Sequence, residues 1–153
     1  MTPEPTSRLA EDAEIWVICG NACAGKTTTA RLLAQRLPLA AHVDGDEMQR
    51  LIVSGCRWAV PGDTDPGTGR LTGGAGAQYA LRIRNACLVG AAFADAGVTA
   101  IVTDQFEEVI ERGLDRLPHV GLWVDPGGLD AHSVVDLLLA RRAEAAWVVA
   151  AGT

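Results

Sequence analysis

The stretch that most constrains this chain is Gly20-Asn21-Ala22-Cys23-Ala24-Gly25-Lys26-Thr27, a complete G-x-x-x-x-G-K-[ST] pattern. Its flanks match what that pattern needs. Ile15-Trp16-Val17-Ile18-Cys19 is a short apolar run that reads as a buried strand. Thr27 to Leu37 carries apolar residues at helical spacing. Strand, glycine loop and helix together form a cradle in which backbone N–H groups and a helix N-terminus receive polyphosphate. Glycine permits backbone conformations closed to other residues and a close approach to the ligand. Lys26 is then expected on the β- and γ-phosphates and the Thr27 hydroxyl on Mg²⁺. Gly20, Asn21, Ala22, Cys23, Ala24, Gly25 and Thr28 complete the expected nucleotide contacts. A chance match in a chain with 17 glycines is the competing explanation, and the basic residues count against it. Of 13 basic residues only Lys26 is lysine, and it stands where a compact ammonium serves better than a planar guanidinium.

Composition narrows the remaining classes. A chain of 153 residues, 48% hydrophobic, is one domain with a real core. No apolar run approaches the roughly 18 residues that span a bilayer. Residues 1–13 are polar and read as a loose tail without the features of a secretory signal, leaving 14–153 as the domain. A net charge of −6 argues against a general nucleic-acid binder. None of the four cysteines forms a C-x-x-C pair, so reduced thiols and a cytoplasmic location are expected. Cys19 and Cys87 read as small buried hydrophobes. Cys23, beside oriented backbone N–H groups, is a candidate for a reactive thiol.

Further along, Leu39 to Val43 reads as a second strand ending in Asp44-Gly45-Asp46, before a short helix over 47–53. Carboxylates at the C-terminal end of a parallel strand lie where such sheets place their ligands. Capping preference assigns Asp46 to the helix N-terminus and leaves Asp44 to hold or deprotonate an acceptor hydroxyl. Ser54 to Gly76 is irregular, with Trp58, Arg57 and Arg70 suggesting an acceptor-binding segment. Ala77 to Ala96 is the longest expected helix, ended by Gly97 and, from Ala86 onward, apolar enough to be buried. Arg82 and Arg84 are two apart, so at most one points into a site. Val98 to Thr103 is the clearest strand, and Asp104 after it is a second nucleotide motif whose carboxylate orients Mg²⁺. A helix over 106–117, a last strand over 120–124 and an unbroken helix over 129–149 complete the expectation.

These residues resemble the P-loop kinase group that includes chloramphenicol phosphotransferase and related small-molecule phosphotransferases. The resemblance runs from Ile15 to about Phe106. It rests on Gly20 to Thr27, Val43-Asp44 with Asp46, Leu51 to Gly55, Tyr79 to Ala86 and Phe93 to Asp104, with a similar tail around Gly121 to Asp125 and Val134 to Leu138. It implies a nucleoside-kinase-like P-loop fold, a three-layer α/β/α arrangement with helices on both faces of a parallel sheet. It also implies transfer of the γ-phosphate of Mg·ATP to a small-molecule hydroxyl, with Lys26, Asp44 and Arg82 in catalytic roles and Thr27 and Asp104 at the metal. The chain departs from the family between Asp104 and Gly121, where a strand and an arginine-rich lid are expected. Without them, one of Arg57, Arg70, Arg82 and Arg84 must supply the lid's charge, and Arg141 and Arg142 serve as lid arginines only in an alternative alignment. A catalytically weakened ATP-binding relic, or a regulatory module that lacks the lid, is the alternative function. The uncovered sheet predicts self-association as a homodimer.

Overall fold

The computed structural model describes residues 13–20, 23–60, 62–68, 70–105, 122 and 124–145. Three parallel strands form the sheet: β1 (Ile15–Gly20), β2 (Ala40–Asp44) and β3 (Thr99–Gln105), in the order β1-β3-β2. β3 is central, and its Ala100, Ile101, Val102 and Thr103 are buried. The register aligns Trp16, Ile101 and His42 in one row and Val17, Val102 and Val43 in the next. Because successive strand residues point to opposite faces, the two rows feed separate cores. Ile101 packs with Ala30 and Leu33 of helix α1 (Lys26–Gln35) and Val135 of helix α4 (Ala131–Ala140). Val43 and Val102 pack instead with Ala86 of helix α3 (Gly73–Asp95) and with Met48 of the short helix α2 (Gly45–Arg50). Helices therefore cover both faces of a parallel sheet, the three-layer α/β arrangement expected of the sequence.

Local chemistry sets the element ends. α3 stops at Asp95, and Gly97 takes a left-handed conformation with φ 83°. The N–H groups of Gly97 and Val98 then donate to Ala94 and Phe93 oxygens, which satisfies carbonyls the helix leaves over. At the same end of the sheet, Glu14 accepts from the Trp16 indole at 3.0 Å and forms an ion pair with Arg142, in a 3₁₀ turn after α4. Arg36 and Asp136 tie α1 to α4 at 2.8 Å.

Several expectations change. The irregular stretch is shorter, because α3 starts at Gly73, and the segment before it is knotted into a turn. There Asp65 accepts from the N–H groups of Gly67 and Thr68, and Thr72 N–H donates to Asp63. The second half of α3 is not buried all round: Ala86 and Gly90 face the sheet, but Leu88 is 57% exposed. An added Cβ on Gly90 would stand 3.0 Å from Val102, which is how closely that helix approaches β3. Cys19 and Cys87 are exposed rather than buried: Cys19 lies on β1, which hydrogen-bonds only β3 among the described residues and whose Val17 is also 63% exposed, and Cys87 lies on α3 next to the exposed Leu88. The last helix is not continuous to 149: α4 ends at Ala140, and residues 146–153 lie outside the described residues. The expected helix over 106–117 also lies outside them. Of the expected strand over 120–124, only Leu122 and Val124 are described, and neither belongs to a strand.

Candidate functional site

The C-terminal ends of β2 and β3 and the N-terminus of α1 converge on one cavity of about 270 Å³. It is lined by Cys23, Ala24, Gly25, Lys26, Thr27 and Thr28 on the loop side and by Asp44, Asp46, Thr103 and Asp104 on the strand side. Of the sequence-selected nucleotide residues, Asn21 and Ala22 lie outside the described residues, and Gly20 ends β1 without lining the cavity. Two residues of the loop, on either side of Ala24, take left-handed backbone, Cys23 at φ 62° and Gly25 at φ 78°. Glycine accepts this conformation readily and cysteine does not, so the loop holds Cys23 in a strained state. No side chain caps α1, and its first turn contains no acidic residue. Its leading N–H groups and the Lys26 ammonium therefore make this end of the cavity electropositive.

Opposite stand three carboxylates, and their roles differ from those expected. The helix cap is Asp44, not Asp46: one Asp44 oxygen accepts from Asp46 N–H at 2.9 Å, while the other faces the Thr27 hydroxyl at 3.4 Å. Assignment of strand and helix ends decides this, because β2 runs one residue further than expected and α2 begins at Gly45. Asp46 instead pairs with Arg82 at 3.1 Å. Arg82 also holds Asp104 through its other terminal nitrogen. The side chains of Arg82, Asp46 and Asp104 are only 7%, 23% and 12% exposed, so this is a largely desolvated cluster. Such a cluster survives because each charge has a partner. Arg84 is exposed, in line with the expectation that only one of the two arginines points inward.

Gly45 makes the cluster possible. A Cβ there would stand 2.7 Å from the Asp104 carboxyl carbon, so only glycine lets that carboxylate rest against the start of α2. Gly45 leaves a signal in the sequence, a glycine wedged between two aspartates, Asp44 and Asp46. Thr103 is not singled out by the sequence. It is buried and its hydroxyl lies 2.8 Å from His42 Nε2. Burial pushes the His42 pKa down, Asp44 opposes that shift and Arg31 adds to it. Cys19 is paired in register with Asp104, and its thiol is pushed up to about 11, first by desolvation and then by that carboxylate, even though the residue keeps a solvent-exposed surface. It stays a neutral thiol at ordinary pH.

For a magnesium ion the donor set fits. Thr27 and Asp104 offer hard oxygen donors in one cavity, and no cluster of three or more His, Cys, Asp or Glu side chains able to hold a metal occurs among the described residues. Mg²⁺ suits such a set, because it is commonly held by one or two protein oxygens with substrate phosphates and water completing the shell.

Beside the cavity lies a second, smaller cleft of about 70 Å³, bounded by Gln49, Arg57, Trp58, Ala59, Ala75, Tyr79 and Arg82. Of the other arginines considered from sequence, Arg70 is exposed in the 63–72 turn, while Arg141 and Arg142 pair with Glu144 and Glu14. No protein-family model matches the chain, and no curated protein matches it in sequence. No helix among the described residues is long and apolar enough to cross a membrane.

Proposed function

We propose that this chain is a P-loop phosphotransferase of the nucleoside-kinase-like type, binding Mg·ATP in the larger cavity and moving the γ-phosphate to a hydroxyl of a small molecule. The observation that carries this reading is the convergence on one cavity of an uncapped helix N-terminus, Lys26, Thr27 and the strand-end carboxylates Asp44 and Asp104. The positive end receives phosphate, and Lys26 serves the β- and γ-phosphates. Thr27 and Asp104 would hold Mg²⁺, which when bound neutralises charge on the transferring group. Asp44 accepts the acceptor's hydroxyl proton as the new phosphorus–oxygen bond forms, and the bridging oxygen leaves with ADP. Four free cysteines fit a reducing, cytoplasmic setting.

A second reading, nucleotide binding with slow transfer, is favoured by one observation. Both terminal nitrogens of Arg82 are committed to Asp46 and Asp104. A cation that serves the transition state in such reactions supplies a factor of roughly 10³ to 10⁵. Arg82 provides it only after exchanging carboxylate partners for phosphate.

The test is transfer of label from γ-labelled ATP to a panel of hydroxylated compounds. Asp44→Asn should lower transfer by about 10²-fold or more, the usual scale of a general base, while Mg·ATP affinity stays within a few-fold. Equal transfer by the variant would remove Asp44 from the chemistry. Binding with negligible transfer to every compound would select the second reading.

A further inference from the structure

The smaller cleft contains a mismatch that its own residues do not resolve. Gln49 is 1% exposed, and its amide nitrogen donates to the Arg57 carbonyl at 3.0 Å and to Gln78 Oε1 at 2.9 Å. Gln78 in turn accepts from Arg57 N–H at 2.7 Å and donates to the Gly55 carbonyl at 2.8 Å. Those bonds fix which end of the Gln49 amide is nitrogen, and they leave its Oε1 buried with no hydrogen-bond partner. The Nε–H of Arg82 is likewise buried and unbonded, although its terminal nitrogens are both engaged. The two residues that carry the orphaned acceptor and the orphaned donor line the same cleft. Buried polar groups are almost always satisfied, so an unsatisfied pair at a cleft calls for a ligand or water that supplies the complement.

Resting on the phosphotransferase reading above, we infer that this cleft is the acceptor subsite and that it selects an uncharged compound with a hydroxyl, carboxamide or lactam edge. That edge donates to Gln49 Oε1 and accepts from Arg82 Nε–H. Arg82 carries one positive charge against the two carboxylates it holds, and Arg57 on the cleft wall offsets the remaining negative charge, so what enters meets dipoles rather than a net charge. Its volume of about 70 Å³ takes the polar head of a compound and not a whole molecule. The body lies along Trp58, which is 44% exposed and serves as an apolar outer wall. Trp58 lies against the Arg50 and Arg82 guanidiniums, each 5.9 Å from its ring, which sets it in the wall of the cleft. Arg82 is also the link between the sites: it lines the cleft, and its terminal nitrogens hold two carboxylates of the larger cavity. A head group in the cleft is therefore one side chain, Arg82, away from the cavity that Asp44, Asp46 and Asp104 line.

The experiment is ligand-observed NMR on the full chain with benzamide, benzoate and toluene as probes, without nucleotide and again with Mg·ATP. Benzamide should bind at least about tenfold more tightly than either of the others, the scale of a hydrogen bond made rather than lost in a buried site. Ala75→Leu, which fills the cleft from α3 without touching the polar network, should abolish that binding, and Gln49→Met should remove the preference for benzamide over toluene. Equal binding of the three probes, or benzamide binding unchanged in Ala75→Leu, would overturn the assignment. Because Ala75→Leu spares the polar groups, the test stands even if Gln49→Met fails to fold. Mg·ATP titration of the same samples separates the two claims. Selective benzamide binding without nucleotide binding supports the cleft's selectivity and sinks the kinase reading, whereas nucleotide binding without benzamide selectivity does the reverse.

Discussion

Gly45→Ala offers a sharp test of how the carboxylate cluster is built. The added methyl would stand 2.7 Å from Asp104 Cγ and 3.2 Å from its Oδ1, where ordinary contacts begin near 3.4 Å. The Asp104 carboxylate must retreat, and Arg82, 7% exposed, loses one of its two partners. Two effects compete. Alanine at the start of a helix is favoured over glycine by up to about 1 kcal/mol. Overpacking a filled site costs about 1–3 kcal/mol, and the loosened ion pair adds to that. The cost wins, and a net destabilisation of about 1–2 kcal/mol is expected, seen as a fall of several degrees in Tm for a domain of this size. The control is the same change in an Asp104→Ala background. There the obstruction is gone, so Gly45→Ala should be neutral or mildly stabilising, and the coupling between the two sites should reach about 1–3 kcal/mol. Urea unfolding of the four proteins gives the cycle. Additive effects, with coupling below about 0.5 kcal/mol, would show that Gly45 is not there to make room for Asp104.

Other consequences concern single groups. Arg82→Met leaves Asp46 and Asp104 buried without their cation and should cost about 3–5 kcal/mol, whereas Arg84→Ala on the exposed side of the same helix should stay within about 0.5 kcal/mol; equal costs in urea unfolding would contradict the burial of the cluster. His42 has a pKa held below its ordinary 6.5, so below that value the unfolded chain takes up a proton the folded one refuses. Its contribution is intact above 6.5 and lost as pH falls toward the lowered folded value, in the sense required by proton linkage. His42→Gln should therefore flatten the loss of stability between about pH 7.5 and about pH 5.5, and an unchanged pH profile would refute the assignment. Asp104→Asn should weaken the Mg²⁺ dependence of ATP binding and leave metal-free binding nearly as it was, which titrations with and without EDTA would resolve.

What the sequence made legible follows from how local each determinant is. The strand, loop and helix around Lys26 depend on neighbouring residues and on a glycine-bounded loop, so their order and the cavity they open were readable. The pairing of Asp44 and Asp104 at adjacent strand ends followed from two strands that each stop at a carboxylate. The roles of Asp44 and Asp46 were not readable. They turn on whether β2 ends one residue earlier or later, because the cap is whichever aspartate the helix then starts from, here Asp44. The Gln49–Gln78 network escaped for a different reason: it joins residues 29 apart through backbone atoms of a non-repetitive segment. The exposure of Leu88, Val17 and Cys19 also depends on what covers β1 and α3, a tertiary fact that helix and strand periodicity does not encode.

The central claim is that Lys26 and the uncapped end of α1 form a triphosphate site. Calorimetric titration of the full chain with Mg·ATP, set beside Lys26→Arg, measures it most directly. Arginine keeps the charge but brings a larger planar group into a tight backbone cradle. Wild-type protein should bind one Mg·ATP, and the variant should bind at least about tenfold more weakly, about 1.4 kcal/mol. No heat of binding in the wild type, or equal affinity in the two proteins, would contradict the account.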